Sequence, residues 1–217
     1  MAIKPILFNT EMVRAILDGR KSCTRRLVKP QPDEKHTYPL GFVIDSTEKK
    51  YVGCFGFGID EYGGSIQYVK PPYGYAPGDI LYVRETWHKY TKRIGKGEGC
   101  YLAELYGYKA SVANSEDANE PWKPSIHMPK EAARIWIRVT DVRVERLQEM
   151  TGQDVLKEGL NSHVHPQASY FDCNQREMFE KLWNSTIKKP DLARYSWDAN
   201  PWVWVVEFER CEKPKGV

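Results

Sequence analysis

Apolar residues near the start of the chain recur at the spacing of a short helix. After an apolar run from Ile3 to Phe8, one helical face is formed by Met12, Val13, Ile16 and Leu17. Asn9 is suited to cap this helix and Gly19 to end it. We therefore predict a short helix after this apolar run and then, from Lys21 onward, an extended segment.

Apolar and polar positions alternate further along the chain, as in half-buried strands. The turn Pro77-Gly78-Asp79 leads into a predicted strand from Ile80 to Trp87. The clearest alternation runs from Ile135 to Leu147, and the largely apolar stretch from Trp202 to Phe208 predicts a closing strand.

Two helices are predicted between those strands. A capping sequence begins at Thr151 and leads into a short helix that stops at Gly159. A longer helix follows, because the apolar residues between Glu177 and Trp183 have helical spacing. The mixture of strands and helices predicts an α+β fold.

Two stretches show no sustained periodicity and are interpreted as surface insertions. Residues 33–74 are rich in Gly, Tyr and Lys and predict a hairpin-bearing insertion, and residues 92–123 predict a second one around a Tyr-rich hairpin. The chain has 217 residues, of which 41% are hydrophobic, enough to bury one substantial core. We therefore predict a single domain over residues 1–217.

The whole chain has nearly equal numbers of positive and negative side chains, but one segment is strongly basic. Lys and Arg number 32 against 29 Asp and Glu, so the net charge of +3 does not by itself indicate a nucleic-acid-binding protein. The segment from Gly19 to Pro32 nevertheless has no acidic residue and contains Arg20, Lys21, Arg25, Arg26 and Lys29. A phosphate group would suit this segment.

Cysteine usage and hydropathy argue against several classes of protein. The five cysteines form no C-x-x-C pair and are odd in number, so neither a zinc knuckle nor a disulfide framework is predicted. No apolar run approaches the roughly 20 residues of a membrane span. We expect reduced thiols, no metal, no cofactor, no membrane partner and a cytoplasmic location.

Several motifs resemble the ASCH superfamily of PUA-like domains. The segment Gly19 to Arg26 resembles its Gly-x-Lys signature, and Leu81 to Trp87 resembles its second signature strand. Ser125 to Pro129 and Asn200 to Trp204 are similar to segments of uncharacterised phage and prophage members. The resemblance implies a mostly antiparallel, PUA-like β-barrel with flanking helices, and neither long insertion is part of it.

The same resemblance implies a possible enzyme activity. One superfamily member is an amidohydrolase acting on acetylcytidine, and its proposed Lys, Thr and Glu match Lys21, Thr24 and Glu85 here. Thr24 would be the nucleophile, Lys21 the base and Glu85 the proton donor to the leaving amine. In a regular strand Lys21 and Thr24 point to opposite faces, so a shared site requires a turn or bulge between them.

A binding module without catalysis is the alternative function. Its partner would be RNA, a nucleotide or a modified nucleoside, with phosphate held by the basic segment and a base stacked on an aromatic ring. The candidate ligand-binding residues are Arg20, Arg25, Arg26, Arg84, Trp87, His127 and Trp202.

Each candidate also has a purely structural interpretation. A basic segment of this kind is also typical of a solvent-exposed strand. Glu85 beside Arg84 is also typical of an ion pair at a strand end. A single Trp belongs more often to a core than to a stacking platform, and a lone His such as His127 is more often structural. The sequence leaves both interpretations open.

Overall fold

The structure is a computed structural model that describes residues 1–96, 99–111, 121–161, 165, 167 and 169–216. Its strands are β1 Ile3–Leu7, β2 Cys23–Leu27, β3 Tyr38–Phe42, β4 Phe55–Gly58, β5 Ile66–Val69, β6 Ile80–Arg84, β7 Trp87–Ile94, β8 Tyr101–Tyr108, β9 Trp136–Arg146 and β10 Trp202–Cys211. Its α-helices are α1 Thr10–Leu17, α2 Gly152–Lys157, α3 Phe171–Thr186 and α4 Leu192–Tyr195. The predicted α+β class is confirmed.

A five-stranded sheet with the order β1-β6-β9-β10-β2 forms the centre of the fold. Strand β1 pairs with β6 in parallel, and the other neighbours are antiparallel. Among the described residues no ladder joins β1 to β2, so the closed barrel implied by the resemblance is not seen. Instead, the Arg26 side chain on β2 donates a hydrogen bond to the Leu7 carbonyl at 2.9 Å.

Apolar side chains pack on both faces of this sheet. One face carries the larger core, in which Trp204 is fully buried and α1 contributes Val13 and Ile16. The other face carries a second core, to which α3 contributes Phe179 and Trp183. Strand β2 therefore lies at an edge of the sheet between two helical layers.

The local signals at the helix ends have the expected geometry. Asn9 Oδ1 accepts a hydrogen bond from the Met12 amide at 2.8 Å, and Gly19 has a φ of +75°. Thr151 and Asp154 form a capping box at the start of α2. Both predicted caps are confirmed.

The strand predicted from Ile80 to Trp87 is split in two. Strand β6 ends at Arg84 and β7 begins at Trp87. Between them, the Glu85 amide faces the Met128 sulfur at 3.2 Å and is not part of a β-ladder. The chain therefore turns at Glu85, and Trp87 belongs to the following hairpin.

The first insertion, residues 33–74, contains the three-stranded sheet β3-β4-β5. Its central strand packs on the main core, with the Phe57 ring centroid 5.1 Å from Trp202 and that of Phe55 6.1 Å from Trp204. The assignment of the whole chain to one domain stays a prediction.

The second insertion, residues 92–123, contributes most of the antiparallel hairpin β7-β8. The hairpin begins at Trp87, which is five residues before the start of the predicted insertion. Strand β6 ends already at Arg84, so Trp87 is part of the hairpin. Residues 97–98 and 112–120 of this insertion lie outside the described residues. Within the described part of the chain, no helix is long and apolar enough to cross a membrane.

Asp79, in the turn before β6, fixes the start of β1. Its carboxylate accepts hydrogen bonds from the Ala2 amide at 2.8 Å, the Ala76 amide at 3.1 Å and Lys4 Nζ at 2.5 Å. Burial raises the pKa of Asp79, but these hydrogen bonds outweigh it and hold the pKa below its usual value. The ionised form is therefore favoured by folding.

Replacement of Asp79 by Asn should change the acid dependence of stability. A depressed folded pKa gives stability that is present above the unfolded pKa, about 3.9, and is lost as pH falls through the folded pKa. Asp79→Asn should thus be less stable than the wild type at pH 7, and this difference should shrink below about pH 4. Urea melts between pH 7 and 3 measure it, with the exposed Asp198→Asn as control. A difference independent of pH would contradict the assignment.

Candidate functional site

A cavity of about 490 Å³ lies along the edge strand β2, between α1, the end of α2 and α3. Its volume is typical of a small-molecule site. The polar part of its wall includes Thr24, Arg25, Arg26 and Glu158, and the apolar part includes Phe179 and Trp183. The basic segment identified in the sequence therefore borders this cavity.

Gly159 allows the end of α2 to approach the loop that leads into β2. Its φ is +92°, and a Cβ at this position would lie 2.6 Å from Ala15 Cβ and 2.9 Å from Lys21 Cβ. Next to it, Glu158 forms an antiparallel β-bridge with Lys21, and the Arg20 guanidinium donates to the Gly159 carbonyl. The close approach places a carboxylate directly beside the basic segment.

Lys21 and Glu158 form a buried ion pair. Lys21 Nζ lies 2.7 Å from Glu158 Oε2 and donates a second hydrogen bond to the Glu158 carbonyl at 2.8 Å. The two side chains are 0% and 5% exposed. In this arrangement the Lys21 ammonium is a hydrogen-bond donor, with two of its three N–H groups used by one residue.

Arg25 extends the same charged cluster. Its guanidinium lies 3.3 Å from Glu145, 3.5 Å from Glu158 and 3.8 Å from Asp154. The side chain is 1% exposed, and its Nε has no hydrogen-bond partner among the described residues. Arg25 is therefore held by carboxylates and is not a free phosphate ligand.

Thr24 presents a buried hydroxyl without a partner. The residue is 1% exposed, and none of the described residues makes a hydrogen bond to Oγ1. An unsatisfied buried polar group costs about 1 to 3 kcal/mol. Thr24 is also one of the residues that border the cavity.

Cys23, the nearest thiol, is not suited to nucleophilic chemistry. Burial and, second, the nearby Glu158 carboxylate raise the pKa of Cys23 to about 12. The thiolate is the reactive form of cysteine. Cys23 therefore stays a protonated, structural side chain.

Arg26 borders the cavity on the other side of β2. Its guanidinium lies 5.6 Å from the centre of the Phe8 ring, and burial lowers the pKa of Arg26. At the mouth of the cavity are exposed lysines, of which Lys29 lies 5.3 Å from the centre of the Tyr195 ring. Positively charged side chains therefore lie both at the rim of the cavity, where Lys29 is, and next to the end of β1, where Arg26 is.

Glu85 belongs to a different cluster from Lys21 and Thr24. Its carboxylate is 1% exposed and forms a two-bond fork with Arg134, at 2.8 Å to Nε and 2.9 Å to Nη2. Among the described residues that line the cavity, Glu85 is absent. Of the predicted trio, Thr24 lines the cavity, whereas Lys21 and Glu85 are held in separate ion pairs, Lys21 with Glu158 beside the cavity and Glu85 with Arg134.

The carboxylate that lies beside Lys21 is Glu158, which sequence reasoning missed. It is separated from Lys21 by 137 positions, so no local pattern reports the contact. The helix stop at Gly159 was the available signal, because it fixes where α2 turns toward its neighbour. Arg134, the partner of Glu85, was also missed.

Arg84 and His127 lie near the Glu85 cluster. Arg84 donates from Nε to the Met128 carbonyl at 2.8 Å and from Nη2 to the Ile126 carbonyl. His127 is exposed on the 3-10 turn Ser125–His127. No described contact joins either residue to the cavity, and their role in ligand binding stays a prediction.

The tryptophans predicted as stacking residues lie in cores. Trp87 is buried with Met128 and Trp136, and Trp202 is buried beneath Phe57 with the Arg146 guanidinium 4.2 Å from its ring centre. Neither borders the cavity among the residues described. The aromatic wall of the cavity is instead formed by Phe179 and Trp183 of α3. In the sequence, their spacing indicates only a helix.

Comparison with known proteins gives little further information. No family model matches the sequence, and no curated protein matches it. Among solved structures, the chain is similar to an ASCH domain from Lactobacillus crispatus JV V101, with a TM-score of 0.35 and 10% sequence identity over 96% of this chain and 79% of that chain. A similarity this low carries no argument, so the ASCH assignment stays a proposal. In the described ranges, no group of three or more His, Cys, Asp or Glu residues is placed to hold a metal ion.

Loss of the Lys21–Glu158 ion pair should be strongly destabilising. Lys21→Met should cost about 3 to 5 kcal/mol, because it leaves a buried carboxylate with only the longer contact to Arg25. The double variant Lys21→Met/Glu158→Leu should lose less than the sum of its single changes, since no carboxylate is then left unpaired. Denaturant melts measure these values.

The exposed pair Lys89–Glu104 is the matched control, with its charges 2.7 Å apart on the β7-β8 hairpin. Lys89→Met should leave stability almost unchanged. Additive losses for the two buried changes would show that the ion pair does not hold α2 against β2.

Proposed function

We propose that this chain is an ASCH-type protein whose cavity binds a nucleotide or a modified nucleoside. The observation that carries the proposal is Thr24, which borders a cavity of about 490 Å³ and whose buried hydroxyl has no partner among the described residues. A polar ligand atom would satisfy this hydroxyl, and the volume suits a molecule of nucleoside size.

The composition of the cavity wall supports a flat, partly polar ligand. Phe179 and Trp183 from α3 provide aromatic surface, and stacking of a base on an aromatic ring is worth about 1 to 3 kcal/mol. The rim lysines Lys29 and Lys188 are exposed and suit a phosphate group. The motif from Gly19 to Arg26, which resembles the ASCH superfamily, borders the same cavity.

Hydrolysis of an acyl amide on a cytidine-like base is the second candidate function. It is favoured by Thr24, the one member of the predicted trio that, within the described chain, lines the cavity and has a side-chain oxygen without a partner. Lys21 Nζ donates to the carboxylate and the carbonyl of Glu158, and Lys21 is not among the described residues that line the cavity, so its part in the reaction stays a prediction. The carboxylate at the cavity is Glu158, whereas Glu85 stays a predicted participant.

Removal of the Thr24 hydroxyl should weaken ligand binding without lowering the stability of the free protein. Thr24→Val has nearly the same shape, so the free protein should be as stable as the wild type or up to about 2 kcal/mol more stable, since a buried unpaired group is lost. Ligand affinity should fall about tenfold. Denaturant melts and calorimetric titration with cytidine, N4-acetylcytidine, cytidine monophosphate and short RNA oligonucleotides measure the two effects.

Ser22→Ala, a change at an exposed hydroxyl two residues away, is the control and should alter neither quantity. If nucleosides and nucleotides fail to bind, or if Thr24→Val binds as tightly as the wild type, the cavity is not the ligand site. Binding of RNA alone would favour the RNA-binding alternative.

The catalytic candidate predicts release of acetate and cytidine from N4-acetylcytidine. Thr24→Val should abolish turnover, and a general acid or base replaced by its amide should lose at least about a hundredfold. Comparison of Glu158→Gln with Glu85→Gln, each checked for folding, shows which carboxylate takes part. If no nucleoside amide is cleaved, the protein is a binding module.

A further inference from the structure

Strand β2 has a free edge and lies beside the cavity. Strand β2 is the last strand of the five-stranded sheet and is paired only with β10 among the described strands. Residues 24–27 of this strand line the cavity. The cavity therefore occupies the place where a further strand would otherwise lie.

The register shows which residues face that edge. At the two ends of the β2-β10 ladder, the Val28 amide donates to the Trp202 carbonyl at 3.1 Å and the Phe208 amide donates to the Ser22 carbonyl at 2.8 Å. In an antiparallel pair, hydrogen-bonded positions alternate with positions that point away. The even-numbered residues of β2 therefore pair with β10, and the odd-numbered ones present N–H and C=O to the opposite edge.

Arg25 and Leu27 consequently carry outward main-chain groups. The Arg25 carbonyl is an acceptor and the Leu27 amide is a donor, and they are spaced as in the hydrogen-bonding pattern of a strand edge. None of the described residues forms a hydrogen bond to either group. An adjacent donor and acceptor on a planar ring match this pair.

Apolar side chains lie on both sides of the plane of that edge. On one face of β2, α1 lines the cavity with Met12 and Ala15, and on the other face α3 lines it with Phe179 and Trp183. A flat ring that continues the plane of the sheet would be enclosed between these helices. The limited volume of the cavity favours such a ring over an added peptide strand, which would extend along the whole edge.

We propose that the free edge of β2 recognises the pairing edge of a cytosine-type base through main-chain hydrogen bonds. The Arg25 carbonyl accepts the N–H of the exocyclic nitrogen, and the Leu27 amide donates to the neighbouring ring nitrogen. An acylated exocyclic nitrogen retains one N–H, so the same pair accommodates the acyl amides considered above. This inference rests on the proposed function and specifies the ligand edge that the cavity reads.

Analogues of cytidine test each hydrogen bond separately. 3-Deazacytidine lacks the ring nitrogen acceptor and N4,N4-dimethylcytidine lacks the N–H donor, so each should bind at least about tenfold more weakly than cytidine. 5-Methylcytidine alters an edge away from the pair and should bind within about threefold of cytidine. Calorimetric titration of the full chain with these four nucleosides gives the comparison.

A variant of the protein tests whether the Leu27 amide is the group that recognises the ring nitrogen. Leu27→Pro removes the outward amide N–H, and an edge strand tolerates proline where the N–H does not join the ladder. The preference for cytidine over 3-deazacytidine should disappear in Leu27→Pro and persist in Leu27→Ala, whatever the two changes do to affinity itself. The analogue series alone decides the matter if Leu27→Pro does not fold.

The outcomes separate this inference from the proposed function. If cytidine binds in a manner that depends on Thr24, but all four nucleosides bind equally, the cavity is a nucleoside site and the main-chain readout is wrong. If Leu27→Pro keeps the preference for cytidine, the donor is not the Leu27 amide and the inference is overturned. If no nucleoside binds, the proposed function fails as well.

Discussion

The contact between Lys21 and Glu158 holds together the two parts of the chain from which the cavity is built. Lys21 precedes β2, and Glu158 follows α2, so this buried ion pair joins the edge of the sheet to the helical layer. The glycine at position 159 permits the approach because any side chain there would collide with Ala15 and Lys21. This contact acts together with the hydrogen bond from the Ser22 amide to the Lys157 carbonyl to hold α2 against the edge of β2.

The same contact bears on how Thr24 and Lys21 lie relative to each other. A regular strand would direct them to opposite faces, but β2 begins only at Cys23, and the preceding residues are paired with the end of α2. The change of pairing partner at Ser22, whose amide donates to the Lys157 carbonyl at 2.9 Å, takes the place of the turn or bulge expected from the sequence. In this arrangement Lys21 is held by the Glu158 carboxylate, and the Thr24 hydroxyl has no partner among the described residues.

Local features of the fold were predictable from the sequence, whereas the distant contacts of the site were not. The caps at Asn9 and Thr151 depend on residues within one helical turn, so their sequence signals are sufficient. Glu158, the partner of Lys21, is 137 positions away, and Arg134, the partner of Glu85, is 49 positions away. The sequence contains many other carboxylates and arginines, and no local pattern distinguishes these two from the rest. The positions of the tryptophans were not predictable for a similar reason, because composition does not tell which aromatic residues line a cavity and which fill a core.

A structure of the protein saturated with N4-acetylcytidine or cytidine tests the central claim most directly. The account predicts a base in the cavity beside β2, with Thr24 Oγ1 within hydrogen-bond distance of the ligand and the ring in contact with Phe179 or Trp183. A nucleoside bound elsewhere, for example beside Arg84 and His127, would contradict it. So would a cavity that stays without ligand at concentrations that saturate binding in solution.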